Sequence, residues 1–169
     1  MVSDRIADVL IGKGKEFAHG FTCSGHPAAC VVATRNLEII AREGLVEQVR
    51  NETGPYLGQL WEQFKKHPLV GEVRTVGLLG AIELVDDKSS RSFFQDRGKV
   101  GERCRDLCVR NGLVMRAVQD TMILSPPLVA TKGHLDEIYE KASKTFNQLA
   151  EELGPVSYTH LTLPTKRIV

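Results

Sequence analysis

Between Val70 and Val85 the chain changes character, and that change limits what it can fold into. Val73-Arg74-Thr75-Val76-Gly77-Leu78-Leu79-Gly80-Ala81-Ile82-Glu83-Leu84-Val85 is rich in strand formers. Its inner glycines suit a bulge or a close backbone approach, so the stretch predicts one long strand or a pair of short ones. The segments on either side carry helical periodicity instead. From Pro27 to about Glu43 the apolar residues Val32, Ala33, Leu37, Ile40 and Ala41 recur at helical spacing, and Gly44 offers a stop. Val46, Val49, Leu57, Leu60, Trp61 and Phe64 continue the pattern. Gly54-Pro55 should kink or restart it, and His67-Pro68 ends it. After a polar loop, Val100 to Val109 predicts an amphipathic helix stopped at Asn111-Gly112 by a left-handed cap. Leu113-Val114-Met115-Arg116 and Thr121-Met122-Ile123-Leu124 then predict a hairpin joined by Ala117-Val118-Gln119-Asp120, although the favoured Asn-Gly turn is missing. Leu135, Ile138, Tyr139, Ala142, Phe146, Leu149 and Leu153 share one face of a helix from about Gly133 to Leu153. Helices packed on a sheet make this an α/β chain.

Composition excludes several classes of function. With 42% hydrophobic residues, 25% charged residues and a net charge of +1, the chain has no electrostatic footprint for nucleic acid or an anionic membrane. No stretch approaches the roughly 20 apolar residues needed to span a bilayer, and Met1-Val2-Ser3-Asp4-Arg5 lacks a signal-peptide core, so a cytoplasmic location is expected. The four cysteines form no C-x-x-C pair. Cys104 and Cys108 share a helix face with Val100 and Leu107, which points to core packing, and no metal site is expected around Cys23, Cys30, His19 and His26. Gly12-Lys13-Gly14-Lys15 lacks phosphate-loop spacing and reads as a solvated turn. Glu83 has no partner carboxylate or histidine nearby in sequence and reads as structural.

One stretch carries chemistry. In Glu16-Phe17-Ala18-His19-Gly20-Phe21-Thr22-Cys23-Ser24-Gly25-His26-Pro27-Ala28-Ala29-Cys30, glycines and small hydroxyl residues run directly into a helix opened by Pro27. Free N–H groups at such a junction, beside the Thr22 and Ser24 hydroxyls, suit an anion and above all a phosphate. The residues alone favour the plainer role, in which Ser24 or Thr22 only caps the helix, as most Ser and Thr before a helix do.

His19-Gly20-Phe21-Thr22-x-Ser24-Gly25-His26-Pro27 closely resembles the segment after the cofactor lysine in class III pyridoxal-phosphate aminotransferases, a group of fold type I. The resemblance continues through Arg116-Ala117-Val118-Gln119-Asp120-Thr121-Met122-Ile123-Leu124-Ser125-Pro126-Pro127-Leu128 and covers nearly everything from Met1 to about Leu153. The putrescine/polyamine–pyruvate branch is the most similar. This resemblance implies pyridoxal 5′-phosphate as cofactor, with Thr22 and the backbone around Phe21 holding the phosphate of the other subunit's cofactor in a homodimer. It also implies that Arg116 is the mobile arginine that grips a substrate carboxylate, a task for which a guanidinium is suited. The reaction implied moves an amino group from an amine such as putrescine to a keto acid such as pyruvate.

In that family the cofactor lysine and the carboxylate facing the pyridine nitrogen lie farther upstream than Met1, so neither Lys13 nor Lys15 is the cofactor lysine. At 169 residues the chain reads as a fragment, inactive alone. The expected division is the end of the large domain over 1–26, a helical connection over 27–66, an antiparallel small domain over 67–154, and a non-native tail over 155–169. Within that tail, Val156 to Thr165 resembles the translation of a sequencing adapter. A free fragment of this kind should expose apolar surface and be poorly soluble. Two other readings remain: a non-catalytic dimerisation or interaction module, and a family member with another reaction, such as an aminomutase or a decarboxylase.

Overall fold

Apolar periodicity becomes helix on both sides of the strand segment. The computed structural model describes residues 3–14 and 20–154, so Lys15, His19 and the tail expectation for 155–169 lie outside the described residues. The chain divides into two units, Met1–Arg42 and Glu43–Val169.

The first unit carries α1 (Asp4–Gly12) and α2 (Pro27–Arg42). Neither helix has a buried residue. Ile6, Val9, Ile11, Val31, Val32 and Leu37 are all exposed, and of the apolar positions read from the sequence in α2 only Ile40 is half-buried.

The second unit contains the core. Its helical entry runs α3 (Leu45–Gln48), a π-helical turn over Val49–Thr53, α4 (Gly54–Gln63) and a 3₁₀ turn over Phe64–Lys66. The interruption expected at Gly54-Pro55 is thus a π turn: Gly54 N–H bonds to Val49 O, a step of five residues. Only glycine leaves room for it, because a Cβ at position 54 would stand 2.5 Å from Val49 O.

The sheet is antiparallel, in the order β1-β2-β4-β3, with β1 at Val70–Val76, β2 at Leu79–Leu84, β3 at Arg116–Val118 and β4 at Thr121–Leu124. The stretch over 70–85 is therefore a pair of short strands turning at Gly77-Leu78. Side chains alternate between two faces. Val73, Ile82, Met122 and Ala117 form one cross-strand row on the core face. Arg74, Ala81, Ile123 and Arg116 form the neighbouring row on the open face.

Three helices supply the core opposite the sheet: α4, α5 (Lys99–Arg110) and α6 (Lys132–Leu153). Leu57, Trp61, Ile82, Leu84, Met122, Leu135, Phe146 and Leu149 are fully buried, each contributing about 1.5–3 kcal/mol. Phe64 packs edge-on against Trp61 and Phe146, with centroids 5.4 and 5.1 Å apart. Gly80 makes way for this cluster, since a Cβ there would meet the Trp61 indole nitrogen at 2.7 Å. Cys104 and Cys108 are buried among these residues as free thiols. The hydrogen bond with Cys108, together with burial, pushes the Cys104 thiol up and keeps it protonated. Thr131 caps α6 by accepting His134 N–H, while His134 Nδ1 accepts Thr131 N–H.

The hairpin differs from its sequence expectation. Strand β3 starts at Arg116 rather than ending there, and the connection is the two-residue turn Gln119-Asp120 rather than four residues. Gln119 takes a positive φ of 51°, which tertiary contacts at Asp120 impose in place of an Asn-Gly turn.

His67, at the end of the 3₁₀ turn, makes part of the unit's stability dependent on pH. Burial lowers its pKa from 6.5, helped by the nearby Lys88 charge and opposed by a hydrogen bond with Asn147. Its Nδ1 also accepts Leu69 N–H at 3.3 Å, which requires that nitrogen to be unprotonated. The unfolded chain therefore binds the proton more readily. The contribution is complete above the unfolded value near 6.5 and is lost as pH falls through the folded value. The melting temperature should drop between pH 7.5 and 5.5, and His67→Asn should flatten that dependence; an equally steep profile in the variant would refute the assignment.

Candidate functional site

The two candidate site segments lie in different units: Phe21 and Thr22 in the first, Arg116 in the second. Each is built by a local device that the sequence specifies.

Phe21 and Thr22 sit on an exposed turn that leads into α2. Ser24 N–H bonds to Phe21 O at 2.9 Å, and Gly25 has a φ of +72°, a region that glycine enters without strain. The Ser24 hydroxyl accepts Phe21 N–H at 3.1 Å and so binds the turn to itself. With that bond made, the Phe21 amide is already engaged inside the turn. The Thr22 hydroxyl makes no hydrogen bond to another described residue and is exposed. A Cβ at Gly20 or Gly25 would have no described atom within 4 Å. An exposed neutral hydroxyl in front of a helix start suits a phosphate group.

Arg116 opens β3, the edge strand, and is exposed on the open face of the sheet. One other arginine, Arg74, shares its cross-strand row, and the two situations are opposite. Arg74 is held by Glu72 at 2.7 Å and lies 3.7 Å from Glu83, so its charge is already met. The Arg116 side chain has no ion-pair or hydrogen-bond partner among the described residues. A guanidinium with all its donors unspent is ready for an outside carboxylate. Glu83 is the structural carboxylate expected from the sequence, spent on Arg74.

One functional cluster is absent from the sequence reading. Asp120 is 2% exposed, and its carboxylate accepts Gly98 N–H at 2.9 Å and Gly101 N–H at 3.0 Å. These are amides at the start of α5, so Asp120 caps that helix from a position far away in sequence. Local capping rules look a few residues upstream of a helix and could not have found it. Among the described residues, no group of three or more His, Cys, Asp or Glu could hold a metal, and no helix is long and apolar enough to cross a membrane.

Comparison with known proteins supplies the context for this geometry. Residues 2–146 match the family model for aminotransferase class-III. Over 150 residues the chain is 51% identical to a putrescine–pyruvate aminotransferase of Pseudomonas aeruginosa, covering 89% of this chain and 32% of that protein. It is 36% identical to the mitochondrial gamma aminobutyrate transaminase 1 of Solanum lycopersicum, covering 90% of this chain and 31% of that protein. The omega transaminase from Pseudomonas jessenii, solved in complex with PMP, superimposes with a TM-score of 0.75 at 37% identity, covering 89% of this chain and 33% of that one. The chain thus spans about a third of the length of these relatives.

Proposed function

Because the chain belongs to the class III aminotransferases, pyridoxal-phosphate enzymes of fold type I, we propose that it is part of a transaminase that moves an amino group from a terminal amine to a keto acid. In this reading putrescine is the donor and pyruvate the acceptor, as the 51% identical relative's name suggests. The observation that carries it is Arg116 on the open sheet face, whose side chain pairs with no other described residue, in the same row as an arginine already neutralised.

Pyridoxal phosphate, when bound, would supply the electron-accepting ring that the amino transfer needs. This chain's residues would bind and orient. The Thr22 hydroxyl would donate to the phosphate of the cofactor held by the second subunit of a homodimer, with Phe21 setting the turn. Arg116 pairs through two N–H groups with the α-carboxylate of pyruvate or alanine. For an amine with no carboxylate the same side chain swings aside, which its place on an exposed edge strand allows. The lysine that bonds to the cofactor and shuttles the proton belongs to a part of the enzyme outside these residues, so the chain alone is inactive. By the same reading, the first unit and the start of the second form the end of the large domain and its helical connection, and the sheet belongs to the small domain.

The test is to recover the uninterrupted reading frame around this chain, express its product, and measure alanine formed from putrescine and pyruvate with pyridoxal phosphate added. Alanine formation supports the reading. A frame without a cofactor lysine, whose product forms no alanine, leaves the dimerisation-module alternative, which the independent core of the second unit favours. In the active product, Thr22→Val should loosen the cofactor by about tenfold or more, because a hydrogen bond to a charged group contributes about 1.5–3 kcal/mol. Loss of bound cofactor on dialysis, followed by its absorbance, measures this; equal retention would remove Thr22 from the phosphate site.

A further inference from the structure

We infer that Asp120 is a positioning residue for Arg116: its buried carboxylate locks the hairpin register that places the guanidinium on the open face of the sheet. This rests on the reading of Arg116 as the group that grips the substrate carboxylate.

The argument begins with how little else holds β3. It has three residues, lies at the sheet edge and pairs only with β4. Successive side chains point to opposite faces, so a slip of one residue would put Ala117 on the open face and turn Arg116 toward the core. A hairpin with an Asn-Gly turn would have its register set locally. This one turns through Gln119-Asp120, with Gln119 at a φ of 51°, a conformation that a non-glycine residue keeps only when its surroundings impose it.

Asp120 supplies those surroundings. One carboxylate oxygen accepts Gly98 N–H and the other accepts Gly101 N–H, at 2.9 and 3.0 Å. The Asp120 carbonyl accepts Leu84 N–H from β2 at 2.9 Å. Arg97 closes the group: it lies 3.7 Å from the carboxylate, donates to Gln119 Oε1 at 3.1 Å, and is itself steadied over the Phe93 ring at 3.9 Å. The tip of the hairpin is therefore tied to both α5 and β2, and its register cannot shift unless a buried carboxylate gives up both of its donors. Arg116, three residues before the turn, inherits its face from that tie.

Asp120→Asn in the intact reading-frame product is the test, with kcat/KM measured separately for pyruvate and for putrescine. In a two-stage transfer each of these values belongs to its own half of the reaction. Loss of register acts on the carboxylate-bearing substrate, so kcat/KM for pyruvate should fall about tenfold while that for putrescine changes less than threefold. In an Arg116→Ala background the Asp120→Asn change should have little further effect on pyruvate. A purely structural role would lower both values together and add to the Arg116 effect, which would overturn the inference. If Arg116→Ala leaves pyruvate unaffected, the carboxylate-grip reading fails. If it lowers the pyruvate value and Asp120→Asn does not, only the positioning role fails. Should Asp120→Asn not fold, Arg97→Gln at the exposed side of the tie should show the same selectivity at about two- to threefold, and equal effects on both substrates would again count against it.

Discussion

Alanine in place of Gly101 is expected to lower the melting temperature of the second unit by about 15 °C or to prevent its folding. The new Cβ would stand 1.9 Å from the Gln119 carbonyl oxygen, 2.9 Å from its carbonyl carbon and 3.0 Å from Asp120 Cα. All three are backbone atoms, so no side chain can rotate away to relieve the clash. The start of α5 would have to lift off the hairpin, and Asp120 would lose its two amide donors while still buried. Overpacking costs about 1–3 kcal/mol and an unsatisfied buried charged group about 3 kcal/mol more, a large share of a total stability of about 5–15 kcal/mol. Gly133→Ala is the control. It lies in α6 with its nearest neighbour, Thr131 Oγ1, at 3.8 Å, and should be neutral or slightly stabilising. Thermal melts followed by circular dichroism decide the matter: a Gly101→Ala melt within about 2 °C of the parent would contradict the close approach of α5 to the hairpin.

The second large effect concerns activity. Arg116→Ala in the reading-frame product should reduce kcat/KM for pyruvate by about 100-fold or more, because two charge-assisted hydrogen bonds at about 1.5–3 kcal/mol each are lost together. Putrescine has no carboxylate to hold, so its kcat/KM should fall far less. Arg116→Lys restores a charge but not the planar two-point fork, and should recover only part of the loss. Stability should hardly change, since the Arg116 side chain is exposed and makes no bond to another described residue. Equal losses for both substrates would show that Arg116 does not act on the carboxylate.

Much of the fold is legible in the residues. The helices α2, α5 and α6 lie within a residue or two of where their apolar periodicity and end signals place them, because Pro27, Asn111-Gly112 and the Leu135-to-Leu153 stripe act locally. The change at Val70 correctly marks the sheet, and Cys104 and Cys108 pack in the core as their helix face suggests. The hairpin was harder to read. Its turn obeys contacts made with Gly98 and Gly101, some twenty residues earlier, and no local pattern records them. The apolar positions of α2 were legible as a stripe, while their exposure in the first unit was not, because periodicity shows that a helix has an apolar face without showing what covers it.

The sequence by itself determined where most helices and the first two strands form and carried the resemblance to the family around Thr22 and Arg116, since propensity, punctuation and motif depend on neighbours in the chain. Tertiary structure alone decided which face of the sheet Arg116 occupies, and that Arg74 meets Glu83 while the Arg116 side chain meets no described residue. The face of Arg116 follows from the register of β3, held by a buried carboxylate that reaches across the fold to the start of another helix.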